Sequence, residues 1–468
     1  MSRKSVTRSA VQIGAGLACV YALWSTLRRT EEREANANLA QGKRILVLGG
    51  GFAGTGVAQE LARLLPAPAT GEIILIDEDN YLLFTPMLTE AAGGELETRH
   101  IVSPLRTMEP RIRFVQGRIL SVDLANRQVE IETGAADLDP AKQTFQADHL
   151  VIALGSVVNF HGTPGVEANA IPMKKLHDSR VIFQRISDCL ERASMESDRD
   201  KRKKLLTFVV AGGGFTGVET MAAVNDFIRA SARRQPGIPE EDVRTILVQP
   251  GDRLLPELSP ELARYATEKL KQRKVEIQLN IEVAGANEGV VELKDGEKIA
   301  AHTLIWAAGV TPNPLIDTLP AAKGKHHGLE VDGCCRVPGH AGVWALGDCA
   351  EIPKPDGHGT YAPTAQNATR EGKLVAQNII RTLRGEAPQP FRYTPVGELA
   401  LVGRHSGVAR IYGHNFSGPL AWAMWRAIYL AKMPSVAQRG RILGDWLLDS
   451  IFGRVPVPLS TADPKLKS

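Results

Sequence analysis

The sequence predicts an α/β protein with two similar domains and a C-terminal region of different character. The same succession of apolar strand, glycine-rich turn, helix and second apolar strand occurs twice along the chain. The 468 residues also exceed what a single hydrophobic core usually supports. Beyond about residue 385, tryptophan and tyrosine occur in amphipathic stretches instead. We therefore expect two parallel-sheet domains followed by a region with another role.

The two copies of the repeated unit can be placed by their apolar runs. The predicted strand, helix and strand are residues 44–48, 56–65 and 72–76 in the first copy, and 205–210, 218–230 and 245–248 in the second. Further strands are predicted at residues 149–154, 303–306 and 343–346, each followed closely by a glycine. The wide separation of the two copies indicates a domain duplication rather than a short-period repeat array.

The first glycine turn has the pattern of a dinucleotide site of Rossmann type. The first glycine allows a tight turn, the second lets the backbone approach a pyrophosphate, and the third lets helix and strand pack closely. An acid at the end of the next strand can accept hydrogen bonds from ribose hydroxyls. The residues predicted to form this site are Gly49, Gly51, Phe52, Ala53, Gly54 and Asp77.

The second glycine turn repeats the pattern but lacks the acid. Its predicted binding residues are Gly212, Gly214, Phe215, Thr216 and Gly217. The strand-end position holds Gln249, whose amide can hydrogen-bond a ribose but does not repel a 2′-phosphate. We therefore predict NADH at this site and leave NADPH open.

Several further stretches make the chain resemble the two-dinucleotide flavoprotein superfamily and, within it, the type II NADH dehydrogenases. These enzymes are single-subunit NADH:quinone oxidoreductases. The stretches that carry the resemblance, besides the two glycine turns, are residues 81–88, 153–155, 217–219, 306–310, 345–348, 363–366 and 403–404, together with the amphipathic tail. The resemblance runs from about Lys43 to the C-terminus.

The resemblance implies a role for most of these residues. The first turn and Asp77 would bind the ADP part of FAD, and Asp348 would bind its ribityl chain. Ala365 and Gln366 would face the flavin and the quinone. Glu219 would lie near the reacting parts of both cofactors, so Glu219 and Gln366 are the predicted catalytic residues. Strand-end glycines complete the predicted cofactor site: Gly155, Gly309 and Gly347.

The alternative to a catalytic role for Glu219 is a purely structural one, because the helix dipole favours a carboxylate in the first turn of a helix.

The residues around the predicted site of the electron acceptor depart from the family pattern. Where related enzymes often have glutamines after the position of Gln366, this chain has Arg370 and Glu371, and Val396 stands where a lysine is common. Two other functions therefore stay open: an NAD(P)H-dependent flavoprotein with a non-quinone acceptor, and a partner-binding flavoprotein resembling apoptosis-inducing factor.

Composition excludes several other classes of protein. The formal net charge of +4 comes from 56 basic and 52 acidic residues, which does not indicate nucleic acid as a partner. None of the five cysteines forms a C-x-x-C pair, and no histidine cluster has metal-ligand spacing. We therefore predict no metal site and no thiol redox chemistry.

Both ends of the chain point to a membrane. An uncharged run at residues 9–27 lies between arginines, and it is interpreted as an uncleaved anchor, a cleaved targeting peptide or a surface helix. Near the C-terminus, residues 419–432 and 439–452 place tryptophans beside arginines, which is typical of helices at a lipid surface. A core-facing or dimer-facing helix is the alternative, and a homodimer stays open.

The complete prediction is an α/β protein with a discontinuous FAD domain, an inserted NAD(P)H domain and a C-terminal membrane-association region. The predicted boundaries are 1–42 for the N-terminal segment, 43–160 and 301–385 for the FAD domain, 161–300 for the NAD(P)H domain and 386–468 for the C-terminal region. Hydride would pass from NADH to FAD and two electrons on to quinone, without proton pumping. The expected location is the cytoplasmic face of a bacterial inner membrane, or the mitochondrial inner membrane if the N-terminus is a presequence.

Overall fold

The computed structural model describes residues 36, 38–65, 71–134 and 139–453. The uncharged run at residues 9–27 lies outside them, so its three interpretations stay predictions. The chain divides into two compact units. Of the described residues, the first unit contains those up to 82 and those within 104–156 and 312–393, and the second contains 83–103, 157–311 and 394–453.

The described strands are short, with lengths of two to six residues. In chain order they are β1 Arg44–Leu48, β2 Glu72–Asp77, β3 Tyr81–Leu83, β4 Val102–Pro104, β5 Ile112–Gln116, β6 Arg118–Asp123, β7 Gln128–Thr133, β8 Ala141–Gln146, β9 His149–Ile152, β10 Ser156–Val158, β11 Ile171–Pro172, β12 Thr207–Ala211 and β13 Arg244–Gln249. The remaining strands are β14 Val275–Leu279, β15 Val283–Asn287, β16 Val290–Leu293, β17 Lys298–Ala300, β18 Thr303–Trp306, β19 Val310–Pro312, β20 Leu329–Glu330, β21 Val343–Ala345, β22 Ala350–Glu351, β23 Gly397–Leu401, β24 Gly407–Ile411 and β25 His414–Ser417.

The helices alternate with these strands. In chain order they are α1 Phe52–Leu64, α2 Leu88–Ala92, α3 Val166–Asn169, α4 Leu176–Met195, α5 Arg199–Leu205, α6 Phe215–Ala232, α7 Pro260–Gln272, α8 Ala365–Leu383, α9 Gly418–Lys432 and α10 Val436–Phe452.

The first unit is built on a parallel five-stranded sheet in the order β21-β9-β1-β2-β5. Its central strand β1 is almost entirely buried, as expected for a parallel sheet covered on both faces. Helices α1 and α8 pack closely, and a Cβ atom at Gly372 of α8 would lie 2.6 Å from the carbonyl oxygen of Ala53 in α1. A separate antiparallel sheet, β6-β7-β8, belongs to the same unit.

The second unit repeats the parallel design with the strand order β11-β18-β12-β13-β14. Two antiparallel three-stranded sheets accompany it, β15-β16-β17 and β23-β24-β25. Helices α9 and α10 follow the second of these sheets along the chain. Among the described residues, no helix is both long and apolar enough to cross a bilayer.

The structure confirms the α/β class and corrects several predicted boundaries. Strands β1 and β18 have the predicted limits, whereas α1 begins at Phe52 rather than residue 56 and α6 begins at Phe215 rather than residue 218. The helices start earlier because the last glycine of each turn lies inside the helix. Leu205 was predicted to open a strand, but it ends α5, which Asp198 caps at its start.

The two compact units also differ from the predicted domain limits. Residues 301–311, which were grouped with the FAD domain, lie in the second unit because β18 pairs with β12 there. Residues 394–468 lie in the same unit, although they were predicted to form a separate region.

Candidate functional site

The first glycine turn joins β1 to α1. Gly49 has a φ of +106°, and a Cβ atom there would lie 2.1 Å from the carbonyl oxygen of Ala153. A Cβ atom at Gly54 would lie 1.9 Å from the carbonyl oxygen of Gly49, so only glycine lets the helix start so close to the strand. At Gly51 a Cβ atom would meet nothing within 4 Å. The turn therefore presents open backbone at a helix N-terminus, which suits a phosphate group.

Asp77 closes this turn from the end of β2. Its carboxylate accepts hydrogen bonds from the backbone N–H of Gly50 and, at 2.7 Å, from that of Asp79. Burial raises the pKa of Asp77 to about 6, and the two N–H donors oppose this shift. The predicted acid is thus at the glycine turn, as a ribose-binding role requires.

The second glycine turn has the same internal geometry. A Cβ atom at Gly217 would lie 1.8 Å from the carbonyl oxygen of Gly212, and at Gly214 it would meet nothing within 4 Å. The Oε1 atom of Gln249 accepts a hydrogen bond of 2.7 Å from the N–H of Gly213, which mirrors the contact of Asp77 with Gly50. Gln249 therefore occupies the structural position of the missing acid but carries no charge.

Gly347 and Asp348, which follow strand β21, are both held by side-chain hydrogen bonds. The hydroxyl of Ser156 donates a 2.6 Å hydrogen bond to the carboxylate of Asp348. The N–H of Gly347 donates to Glu371 at 2.9 Å. Burial raises the pKa of Glu371 to about 7, and the nearby Asp348 charge adds to the increase. Glu371 thus holds the turn beside Asp348, and its predicted place at the border of the acceptor pocket stays a prediction.

Two other strand-end glycines have left-handed backbone conformations. Gly155, with a φ of +65°, accepts a hydrogen bond from the N–H of Asn313 in the first unit. Gly309, with a φ of +126°, accepts one from the N–H of Asn159 in the second unit.

Ala365 and Gln366 form the start of α8. The Tyr393 hydroxyl donates a 3.1 Å hydrogen bond to the side-chain oxygen of Gln366. The guanidinium of Arg370 lies 4.1 Å from the centre of the Tyr393 ring and donates to the backbone oxygen of Gln366 at 2.9 Å. Arg370 is therefore a cation that contacts both the Tyr393 ring and the first turn of α8.

Glu219 is buried in α6. Its Oε1 atom accepts hydrogen bonds from the N–H of Leu401 at 2.9 Å and from the indole N–H of Trp425 at 3.0 Å. Burial raises the pKa of Glu219 to about 8, although both donors act in the opposite direction. The carboxyl is therefore mainly protonated at neutral pH, unlike an exposed helix-start acid.

The structure thus gathers the predicted residues into two sets, one in each unit. The first unit holds Gly49, Gly51, Phe52, Ala53, Gly54, Asp77, Gly155, Gly347, Asp348, Ala365 and Gln366, and the second holds Gly212, Gly214, Phe215, Thr216, Gly217, Glu219, Gln249 and Gly309. Sequence reasoning missed the partners Ser156, Tyr393, Leu401 and Trp425. Trp425 was noticed, but its position in an amphipathic stretch pointed to lipid rather than to a buried acid.

The described cysteines are unpaired, and the one beside Asp348 is buried. Burial raises the pKa of the Cys349 thiol to about 12, so it is a poor nucleophile. The described cysteines, 189, 334, 335 and 349, are all free. Within the described ranges, no group of histidine, cysteine and carboxylate side chains is arranged to hold a metal ion.

Comparison with known families now decides the class of protein. The pyridine nucleotide-disulphide oxidoreductase family matches residues 43–372, and the NDH2 C-terminal domain matches residues 396–455. The chain belongs to the pyridine nucleotide-disulphide oxidoreductases, as a type II NADH:quinone oxidoreductase. The first match covers both glycine turns, and the second covers all of α9 and α10.

Known type II enzymes and related proteins are similar over most of their length. A probable NADH dehydrogenase of Dictyostelium discoideum is 30% identical over 90% of this chain and 92% of its own. A type II NADH:quinone oxidoreductase of Staphylococcus epidermidis is 30% identical over 81% of this chain and 92% of its own. The structure of NDH2 from Plasmodium falciparum in complex with NADH has a TM-score of 0.81 at 21% identity, covering 89% of this chain and all of that one, and so shares the fold.

Proposed function

We propose that the protein oxidises NADH through bound FAD and passes two electrons to a membrane quinone without pumping protons. The observation that carries the proposal is the pair of matched glycine turns. In each turn, the residue after the first glycine donates its backbone N–H to the side chain at the end of the next strand. Gly50 donates to Asp77 in the first unit, and Gly213 donates to Gln249 in the second. Two such turns fit two dinucleotides.

The residues present fit both cofactors. The first turn, with Asp77 and Asp348, would hold FAD, and the second turn, with Gln249, would hold NADH. When bound, the flavin supplies the chemistry, since it can take a hydride and give up electrons singly or in pairs. The chain supplies binding, orientation and exclusion of water. Glu219 keeps a proton at its carboxyl at neutral pH. Gln366, fixed by Tyr393, is assigned to the quinone.

Membrane association is part of the same proposal. The support comes from exposed apolar side chains on α10, where Leu447 is 60% exposed and Ile451 is 63% exposed. Side chains of this kind in contact with water are typical of helices that lie on a lipid surface. The proposed location is the cytoplasmic face of a bacterial inner membrane, or the mitochondrial inner membrane if the N-terminus is a presequence.

Stopped-flow spectroscopy of the purified, FAD-loaded protein tests the proposal. NADH should bleach the flavin rapidly, and a short-chain ubiquinone should reoxidise it rapidly. The same experiment with NADPH determines which nucleotide the protein prefers, a choice that Gln249 leaves open. Bleaching without reoxidation by quinone would transfer the acceptor role to another oxidant, and no bleaching by either nucleotide would contradict the dehydrogenase assignment. In vesicles, a pH-sensitive dye should report no proton uptake into the lumen during turnover.

A further inference from the structure

A basic cavity lies in the second unit, apart from the glycine turns. Its volume is about 370 Å³. Its walls carry four basic side chains and two hydroxyls: Lys269, Arg273, Arg404, His405, Tyr265 and Ser406. No carboxylate is among the described residues that line it. A cavity of this composition suits an anion with several oxygen acceptors.

Each of the two guanidinium groups has an acidic partner, Asp226 for Arg273 and, at 3.7 Å, Asp449 for Arg404. Arg273 forms an ion pair of 2.6 Å with Asp226 and donates to the backbone oxygen of Arg404 at 2.7 Å. Arg404 reaches the backbone oxygen of Asp449 in α10 at 3.2 Å, and its own backbone N–H donates to Asp226. Because these contacts fix both arginines, a ligand would not have to order them.

Among the residues that the structure describes, Lys269 has no carboxylate as an ion-pair partner. Its ammonium donates to the neutral side-chain oxygen of Gln272 at 3.0 Å and lies 5.6 Å from the Tyr265 ring. No ion pair of Lys269 occurs within the described ranges. The cavity therefore keeps a net positive charge despite the paired arginines.

The cavity borders exposed apolar surface. Pro419 lines it, and the next residue of α9, Leu420, is 58% exposed. The Asp449 carbonyl that accepts from Arg404 lies along α10 between Leu448 and Ile451, which are 55% and 63% exposed. Fixed cations therefore stand beside apolar side chains that face water.

We propose that this basic cavity binds the phosphate of an anionic phospholipid while the exposed side chains of α9 and α10 contact the acyl region. The proposal rests on the membrane association proposed above and adds a defined headgroup site to it. Apolar contact and attraction to anionic lipid act together in peripheral membrane binding. Each lysine or arginine near an anionic surface contributes about 1 kcal/mol, which is about a fivefold change in affinity.

Vesicle sedimentation with the full chain tests the site. Vesicles of phosphatidylcholine are compared with vesicles that have one quarter of their lipid replaced by phosphatidylglycerol. Lys269→Glu should lower affinity for the anionic vesicles about 30-fold, and Lys269→Gln about fivefold. Lys271→Glu is the matched control, because Lys271 lies on the exposed surface of α7 without lining the cavity. Lys271→Glu should lower the affinity for anionic vesicles by a few-fold at most.

Three results would overturn the proposal. Equal binding of the wild-type protein to both kinds of vesicle would show that anionic headgroups are not recognised. Equal losses of affinity in Lys269→Glu and Lys271→Glu would show that only diffuse charge acts. Saturable binding of inorganic phosphate that Lys269→Glu abolishes, with unchanged affinity of that variant for anionic vesicles, would assign the cavity to free phosphate.

Turnover in detergent with a water-soluble quinone separates this proposal from the enzyme function. Lys269→Glu should match wild type in that assay, and a loss there would place the cavity in catalysis instead. If the wild type itself lacks turnover, the proposed function fails while the vesicle measurement still reports on the cavity.

Discussion

Replacing Trp425 by phenylalanine should raise the pKa of the Glu219 carboxyl further. The substitution removes the indole N–H that donates to Glu219 at 3.0 Å and leaves the N–H of Leu401 as the remaining donor of the observed pair. A hydrogen bond to a charged group contributes about 1.5–3 kcal/mol, and one pKa unit corresponds to about 1.4 kcal/mol. From its value of about 8, the pKa should therefore rise by roughly one to two units.

Infrared titration measures this pKa directly. The protonated carboxyl has its own C=O stretch, which the spectrum of Glu219→Gln identifies by its loss. The rate of flavin bleaching by NADH, followed over the same pH range, shows whether the proton matters for the reaction. If it does, the change in rate should occur near pH 8 in wild type, higher in Trp425→Phe, and not at all in Glu219→Gln.

Trp422→Phe is the matched control. Trp422 lies on the same helix, but its ring packs against His405 and Arg426 rather than the buried acid. Its replacement should leave the titration of Glu219 unchanged. If the carboxyl band of Trp425→Phe titrates at the wild-type pH, the indole does not stabilise the ionised carboxylate and the reasoning is refuted.

Three further predictions concern binding and stability. Gly217→Ala should weaken NADH binding at least about tenfold, because the new Cβ would lie 1.8 Å from the Gly212 carbonyl oxygen, while the flavin content stays normal. Titration with NADH measures the affinity, and the absorbance of released flavin measures the flavin content. An unchanged affinity for NADH would contradict the prediction. Since the pKa of Glu219 is raised when folded, wild type should lose up to about 5 kcal/mol of stability as pH rises from about 4.5 to about 8. Glu219→Gln should flatten that part of the thermal-unfolding profile, whereas parallel profiles would exclude the linkage. Arg426→Ala should lower the free energy of unfolding by about 3–5 kcal/mol, because it removes the guanidinium from the buried Glu90 carboxylate. Denaturant unfolding measures this, and a change under about 1 kcal/mol would contradict it.

Local pattern was enough to predict the glycine turns and the strand that follows each. The spacing of Gly49, Gly51 and Gly54 has a steric meaning within one turn, and Asp77 ends the adjacent strand. For the same reason Gln249 could be assigned to the position of an acid before its contact with the second turn was known.

The partners of Glu219 could not be predicted in this way. Leu401 and Trp425 lie 182 and 206 positions further along the chain, and no periodicity relates them to α6. The tail shows a similar limit. Within the predicted amphipathic stretch 439–452, Ile442 and Trp446 are buried, whereas Leu443, Leu447 and Ile451 are exposed. An apolar stripe indicates that some of its side chains will be buried. It does not indicate which of them pack against the rest of the protein and which stay exposed.

Arg426 explains how helices α9 and α10 can offer apolar side chains while staying packed. Its guanidinium lies 4.4 Å from the rings of both Trp422 and Trp446, and it forms ion pairs with Glu90 and Glu95. Rings stacked on a cation and carboxylates that neutralise it can be buried together, which would be costly for any of these charges alone. Trp425 and Trp446 are therefore buried, and Trp422 is half-buried. The large apolar side chains that α9 and α10 expose to solvent are others: Leu420, Val436, Leu443, Leu447, Leu448, Ile451 and Phe452.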